Sequence, residues 1–184
     1  MPRADKPIRT GLTFEEYLEA EYQSPVKHEF VDGQMFMLAG ASDKHNRLAG
    51  RLYAWLLNAE RDACRTFFAD MKVRTPGGVG YYPDILVTCD EEDDGVYVKR
   101  NPCLIIEILS PSTEAIDRGE KLRNYRTFES LQAYILVNQE VKRIEIFRRE
   151  EDGSWRYEDS EAGETLTLPC LEFELEVDDL YRGL

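Results

Sequence analysis

Residues 103–109 read CLIIEIL. A short aliphatic and β-branched run of this kind specifies a buried strand, and a buried strand needs a sheet covered by other elements. At its centre stands a carboxylate, Glu107. Burying an ionised carboxylate costs several kcal/mol or more unless a charge or ion compensates it. The chain must therefore fold so that something positive reaches the middle of its own sheet.

The surrounding sequence fits one domain. The chain has 184 residues, enough for a real core, with a hydrophobic fraction of 42% and a charged fraction of 32%. No apolar run approaches the roughly 20 residues of a membrane span. The start, MPRADKPIRTG, is mildly basic but has no apolar stretch, so it does not read as a secretory signal. Residues 1–11 are expected to be a short disordered arm and residues 12–184 a single domain. Cys64, Cys89, Cys103 and Cys170 form no CxxC pair and read as buried free thiols, which suits a reduced, cytoplasmic setting. With only His28 and His45 besides, a structural zinc site is not expected. The formal net charge of −13 excludes a general nucleic-acid coating protein, though not an enzyme with a local basic groove.

Elements follow from spacing and caps. Thr13, three residues before Glu16, opens a short helix. HEFVDGQMFML alternates around Asp32-Gly33 and predicts a hairpin. Ser42 precedes Leu48, Leu52, Trp55, Leu56 and Ala59, so a long amphipathic helix follows. TFFADMKVRT, YYPDILVTCD and CLIIEIL read as strands, and STEAIDRGEKLRNYRTF as a helix capped by Ser112 or Thr113. QAYILVN and KRIEIFRR predict a hairpin, SWRYEDS and ETLTLP a weaker pair, and VDDLYRGL a last helical turn. This order describes a mixed α/β fold: a central mixed β-sheet flanked by helices, with an N-terminal helix and hairpin.

Period-two alternation sets Tyr82, Asp84 and Leu86 on one strand face and Ile105, Glu107 and Leu109 on another. If these strands lie together, Asp84 and Glu107 meet, and two carboxylates in an apolar setting repel unless a divalent cation sits between them. Spacing alone leaves an equal alternative, in which one carboxylate pairs with Arg74 or Arg123. On the next helix Asp117, Lys121 and Tyr125 recur at i, i+4 and i+8 and share a face. That places Lys121 on the face directed at the sheet, near the end of the Glu107 strand; an Asp117–Lys121 surface ion pair is the bland alternative.

YPD at 82–84, IIEILSPST at 105–113, and Asp117, Lys121 and Tyr125 at four-residue steps together resemble the PD-(D/E)XK nuclease superfamily, and more narrowly the Uma-two family of restriction endonucleases. HEFVDGQMFML and SDKHNRLAGRL resemble the same family, so the likeness runs from Leu12 to Phe147. It implies a restriction-endonuclease-like core, Mg²⁺ with Mn²⁺ as a substitute, and hydrolysis of DNA phosphodiester bonds by a homodimer. Asp84 and Glu107 match the motif acids, and Glu29 matches an acidic position that can complete the metal site. The lysine expected two residues after the glutamate is Leu109 here, and the family pattern supplies Lys121 instead. Within this resemblance His45, Arg74 and Tyr125 are candidates for touching substrate; without it His45 is a helix-cap or core-edge residue and Arg74 a salt-bridge partner. Two other functions compete: a catalytically inactive nuclease fold used for binding or scaffolding, and a hydrolase of RNA or another phosphodiester.

Overall fold

The computed structural model describes residues 3–61 and 63–184. Helix α1 (Phe14–Gln23) begins where its capping box predicts. The Thr13 hydroxyl accepts from the Glu16 N–H, and the Glu16 carboxylate accepts from the Thr13 N–H. Phe14 and Tyr17 pack on Phe30 and Met35 of the hairpin β1 (His28–Val31) and β2 (Gln34–Met37). Asp32 and Gly33 turn that hairpin at φ 47° and 74°, the left-handed pair that a two-residue loop requires. Helix α2 (Asp43–Asn58) is capped by Ser42, whose hydroxyl accepts from the His45 N–H.

The remaining strands are β3 (Arg65–Phe68), β4 (Lys72–Arg74), β5 (Gly80–Tyr81), β6 (Ile85–Thr88), β7 (Val98–Lys99), β8 (Pro102–Leu109), β9 (Ala133–Asn138), β10 (Arg143–Arg149), β11 (Trp155–Glu161), β12 (Thr165–Leu168) and β13 (Phe173–Glu176). A helical segment links β8 to β9: α3 (Glu114–Ile116), a π-helical turn (Asp117–Lys121) and α4 (Leu122–Tyr125). The last element is α5 (Val177–Leu180). A six-stranded mixed sheet runs β11-β10-β9-β8-β6-β3, with β8 and β9 parallel, and a five-stranded sheet runs β2-β1-β5-β4-β7. Strand β8 is buried throughout because both its faces are covered. Leu104, Ile106 and Ile108 pack under α2 and the β12–β13 hairpin; Ile105 and Leu109 pack with Tyr125, Phe128 and Tyr134. Among the described residues no helix is long and apolar enough to cross a membrane.

The mixed α/β class stands, and several local expectations are corrected. The strands divide between two main sheets, not one. TFFADMKVRT splits into β3 and β4 at Ala69, whose φ of 51° breaks the strand and sends its halves to different sheets. Strand β11 pairs with β10 and not with β12, and Arg143–Asp159 and Arg148–Glu158 ion pairs at 2.8 and 3.4 Å lie across that ladder. Strand β12 pairs with β13, and Leu166, Leu168 and Leu175 are buried beneath them. Residues 3–11, expected to be disordered, run along the open edge of β2. The Ala4 and Ile8 N–H groups donate to the Met37 and Met35 carbonyls at 2.8 Å, and Arg9 accepts from Met35. Met1 and Pro2 of that arm lie outside the described residues. The four cysteines are not free thiols but pair as Cys64–Cys89 and Cys103–Cys170. Facing of Arg65 and Thr88 across β3 and β6 makes Cys64 and Cys89 the next cross-strand neighbours. The thiol argument for a reducing compartment therefore falls away.

Candidate active site

Strands β6 and β8 are antiparallel, with Ile85 opposite Ile106 and Leu86 opposite Ile105. Continued by one residue, that register sets Asp84 opposite Glu107 on the same sheet face. One Asp84 carboxylate oxygen accepts from the Ile108 N–H at 2.8 Å and lies 3.0 Å from His45 Nε2, which α2 delivers through its first turn. Glu107 Oε1 accepts from Lys121 Nζ at 2.9 Å and from the Tyr125 hydroxyl at 3.0 Å. Neither Arg74 nor Arg123 supplies the charge that Glu107 needs.

Lys121 closes the π-helical turn that Asp117 opens, and both are buried. Turns of this kind occur often at functional sites; here Tyr134 donates its hydroxyl to the Asp117 carbonyl at 3.1 Å. The Lys121 ammonium also lies 3.3 Å from Glu29 Oε1 and 3.2 Å from Asp117 Oδ1. One ammonium thus stands among three carboxylates, with Asp84 beyond. Arg3, from the N-terminal arm, stands 3.7 Å from Glu29 Oε2, but its guanidinium is engaged by Glu120 at 2.7 and 2.8 Å. Glu120 also accepts from the Tyr81 hydroxyl at 2.8 Å.

This charge balance sets the protonation of the cluster. Burial disfavours the Asp84 anion, yet the His45 side chain and the Ile108 N–H outweigh it and hold the carboxyl down at about 2. Burial pushes Glu107 up to about 8; Lys121 opposes the shift, and Asp117 and Asp84 reinforce it. Burial likewise raises Glu29 against the pull of Lys121 and Arg3. Lys121 is raised well above its ordinary value, because Asp117, Glu107 and Glu29 outweigh its own burial. Among the described residues Glu29 Oε2 and Asp117 Oδ1 accept no hydrogen bond. The centre is therefore an excess of buried carboxylate oxygen.

A pH dependence follows. Glu107 titrates near 8 folded against an ordinary 4.5, so its contribution to stability is complete below about 4.5 and is lost as pH rises through about 8. Glu29 acts in the same direction, while Asp84, being lowered, loses its contribution only in strong acid. Unfolding free energy from urea titration, without divalent metal, is expected to fall by roughly 1–3 kcal/mol between pH 5 and 8.5. Glu107→Gln should remove most of that fall. An unchanged slope in the variant would assign the fall to other groups.

A cleft of about 240 Å³ reaches Asp84 from the α2 side, lined by Lys27, His45, Asn46, Phe68 and Asp70. Asp84, Glu107, Lys121, Glu29, Tyr125 and His45 thus form one connected cluster. Arg74 is engaged elsewhere: it pairs with Glu15 at 3.2 Å and lies over the Phe14 ring at 4.1 Å. Sequence reasoning leaves Asp117 out of the candidate site residues, although its four-residue spacing from Lys121 is the available signal. Arg3 and Glu120 gave none, because only the pairing of the arm with β2 brings them near.

A buried acid pair at adjoining strands, with an ammonium from the crossover helix, defines a protein of the restriction-endonuclease-like class. The sequence profile of the Uma2 family, described as "Putative restriction endonuclease", matches residues 14–179. The chain belongs to that family. It is 36% identical over 176 residues to the uncharacterized protein slr1290 of Synechocystis, covering 94% of this chain and 93% of the relative. A second Synechocystis protein, the uncharacterized sll1609, is 36% identical over 149 residues, with 78% and 84% covered. In fold the chain is similar to a crystal structure from Anabaena variabilis described as a putative nuclease belonging to DUF820 (TM-score 0.75, 17% identity, 92% of this chain and 97% of that one).

Proposed function

We propose that this protein is a divalent-metal-dependent nuclease that hydrolyses DNA phosphodiester bonds. The observation that carries the reading is the buried cluster itself: Asp84 and Glu107 face one another across adjoining strands, and once both are ionised their charge exceeds what Lys121 offsets. Such a donor set fits Mg²⁺ or Mn²⁺, which bind through one or two carboxylates and keep several waters. Asp84 and Glu107 would hold the ion; when bound, it would polarise the phosphate and acidify a water. Among the described residues no three carboxylate, histidine or thiolate side chains are arranged to share an ion. Glu29, 3.3 Å from the Lys121 ammonium, would fix that lysine and stand as the further carboxylate next to the ion. Lys121 stabilises charge developing at phosphorus, Tyr125 orients Glu107, and His45 keeps Asp84 ionised and faces the approaching phosphate.

One observation favours a second reading, a binding or scaffold protein on the same fold. Asp84, Glu107 and Lys121 are only 2%, 1% and 2% exposed, as groups retained for packing would be. Isothermal titration with Mn²⁺ separates the two. The wild type is expected to bind and Asp84→Asn to bind at least about 10-fold more weakly. Equal affinity in both proteins, or none in either, removes the metal from this site and favours the scaffold.

A further inference from the structure

The cleft beside Asp84 restricts what can enter it. Its floor holds Asp84 and His45, 2% and 4% exposed, so a phosphate must descend into the cleft to reach them. At about 240 Å³ it lies below the range of cavities that enclose drug-sized ligands, and it has room for little more than one nucleotide. A paired, stacked nucleotide cannot make that descent without leaving the helix, whereas an unpaired strand turns a nucleotide inward freely.

The walls offer what a single nucleotide needs. Phe68 lines one side, its ring stacked on Tyr53 at 5.2 Å, which gives a rigid apolar platform for a base. Lys27 stands at the mouth, its side chain 36% exposed and paired with Asp70, which is 77% exposed. The left-handed Ala69 aims Asp70 at Lys27. An exposed pair of this kind is worth little, so an entering phosphate can replace Asp70 as the partner of Lys27.

The surroundings do not suit a duplex. Specific duplex binding draws on many phosphate contacts from a basic rim, and the net charge here is −13. Of the cations on α2, Arg51 is committed within the fold: it donates to the Asp179 and Leu180 carbonyls at 3.1 and 2.5 Å. Lys44 pairs with Glu140 at 3.0 Å in an exposed pair like that of Lys27. We infer that the site takes unpaired nucleic-acid strands, one nucleotide at a time, with Lys27 as the phosphate contact and Phe68 as the base platform. This rests on the proposed nuclease reading and narrows it. A single strand needs one centre, so the homodimer that duplex cutting would call for is not required.

The test uses a fluorescent 20-nucleotide single strand and the same sequence as duplex. Binding is followed by anisotropy in Ca²⁺ and cleavage in Mn²⁺. The single strand should bind at least about 10-fold tighter and be cut at least about 10-fold faster. Lys27→Ala should weaken single-strand binding about 5-fold and reduce the slope of log affinity against log salt by about 0.7, the loss of one phosphate contact. Phe68→Leu, which keeps the apolar wall, should weaken binding by about 5- to 100-fold. Equal or tighter duplex binding, or Lys27→Ala with an unchanged salt slope, overturns the inference while leaving metal-dependent hydrolysis standing. Tight single-strand binding with no product from either form removes the hydrolysis and leaves the strand preference intact.

Discussion

Lys121→Met should lower the unfolding free energy by about 3–5 kcal/mol at pH 7, the cost of leaving a buried charge without its partner. The methionine fills the space of the lysine stem, so the loss measures charge and not a cavity. Glu29, Glu107 and Asp117 all lie within 3.3 Å of the ammonium and are 1% exposed. Without Lys121 they face one another, and protonation must supply what the ammonium gave. The loss should therefore shrink at low pH, as the raised carboxyls of Glu107 and Glu29 take up protons. Urea unfolding at pH 7 and pH 4.5 checks both parts. A difference below about 1 kcal/mol at pH 7 would mean that the cluster is already neutral and that Lys121 is not its counter-charge.

Glu107→Gln should show the opposite profile. Cleavage in Mn²⁺ is expected to fall at least about 100-fold, since a neutral amide holds the cation far less tightly than a carboxylate and the developing charge loses its support. Stability at pH 7 should not fall and should rise by up to about 2 kcal/mol, because the amide escapes the proton-uptake cost that accrues between about pH 4.5 and 8. Glu107, titrating near 8, is mostly protonated when no metal is bound, while Lys121 keeps Glu29 and Asp117 as partners. The advantage of the variant should be complete above about pH 8. A residue that matters for activity and burdens the fold is kept for function. If Glu107→Gln unfolds as readily as Lys121→Met, Glu107 is chiefly a counter-ion for the lysine.

Much of this architecture was legible in the chain, for reasons that act locally. The Thr13–Glu16 box, the Asp32-Gly33 turn and the Ser42 cap are satisfied by residues two to four apart, so the sequence states them outright. The faces of β6 and β8 follow from a period of two, which put Asp84 and Glu107 on matching sides before any pairing was known. Lys121 and Tyr125, one turn apart, announced a shared helix face in the same way, and both reach Glu107.

What stayed hidden depends on contacts across long separations. The partner of β11 is β10 and not the next strand in sequence, and β3 parts from β4 at one left-handed alanine. The cysteine pairs span 25 and 67 residues and carry no spacing signal. The arm settles on the open edge of β2 because that edge has backbone groups to satisfy, and only then does Arg3 reach Glu29. Periodicity and caps determined which side chains point inward and where helices begin, since those are properties of a few neighbouring residues. The tertiary structure alone decided which inward charges share one small volume. Coulombic coupling depends on distance in space, and nothing in the order of residues fixes that distance until the sheets close over them.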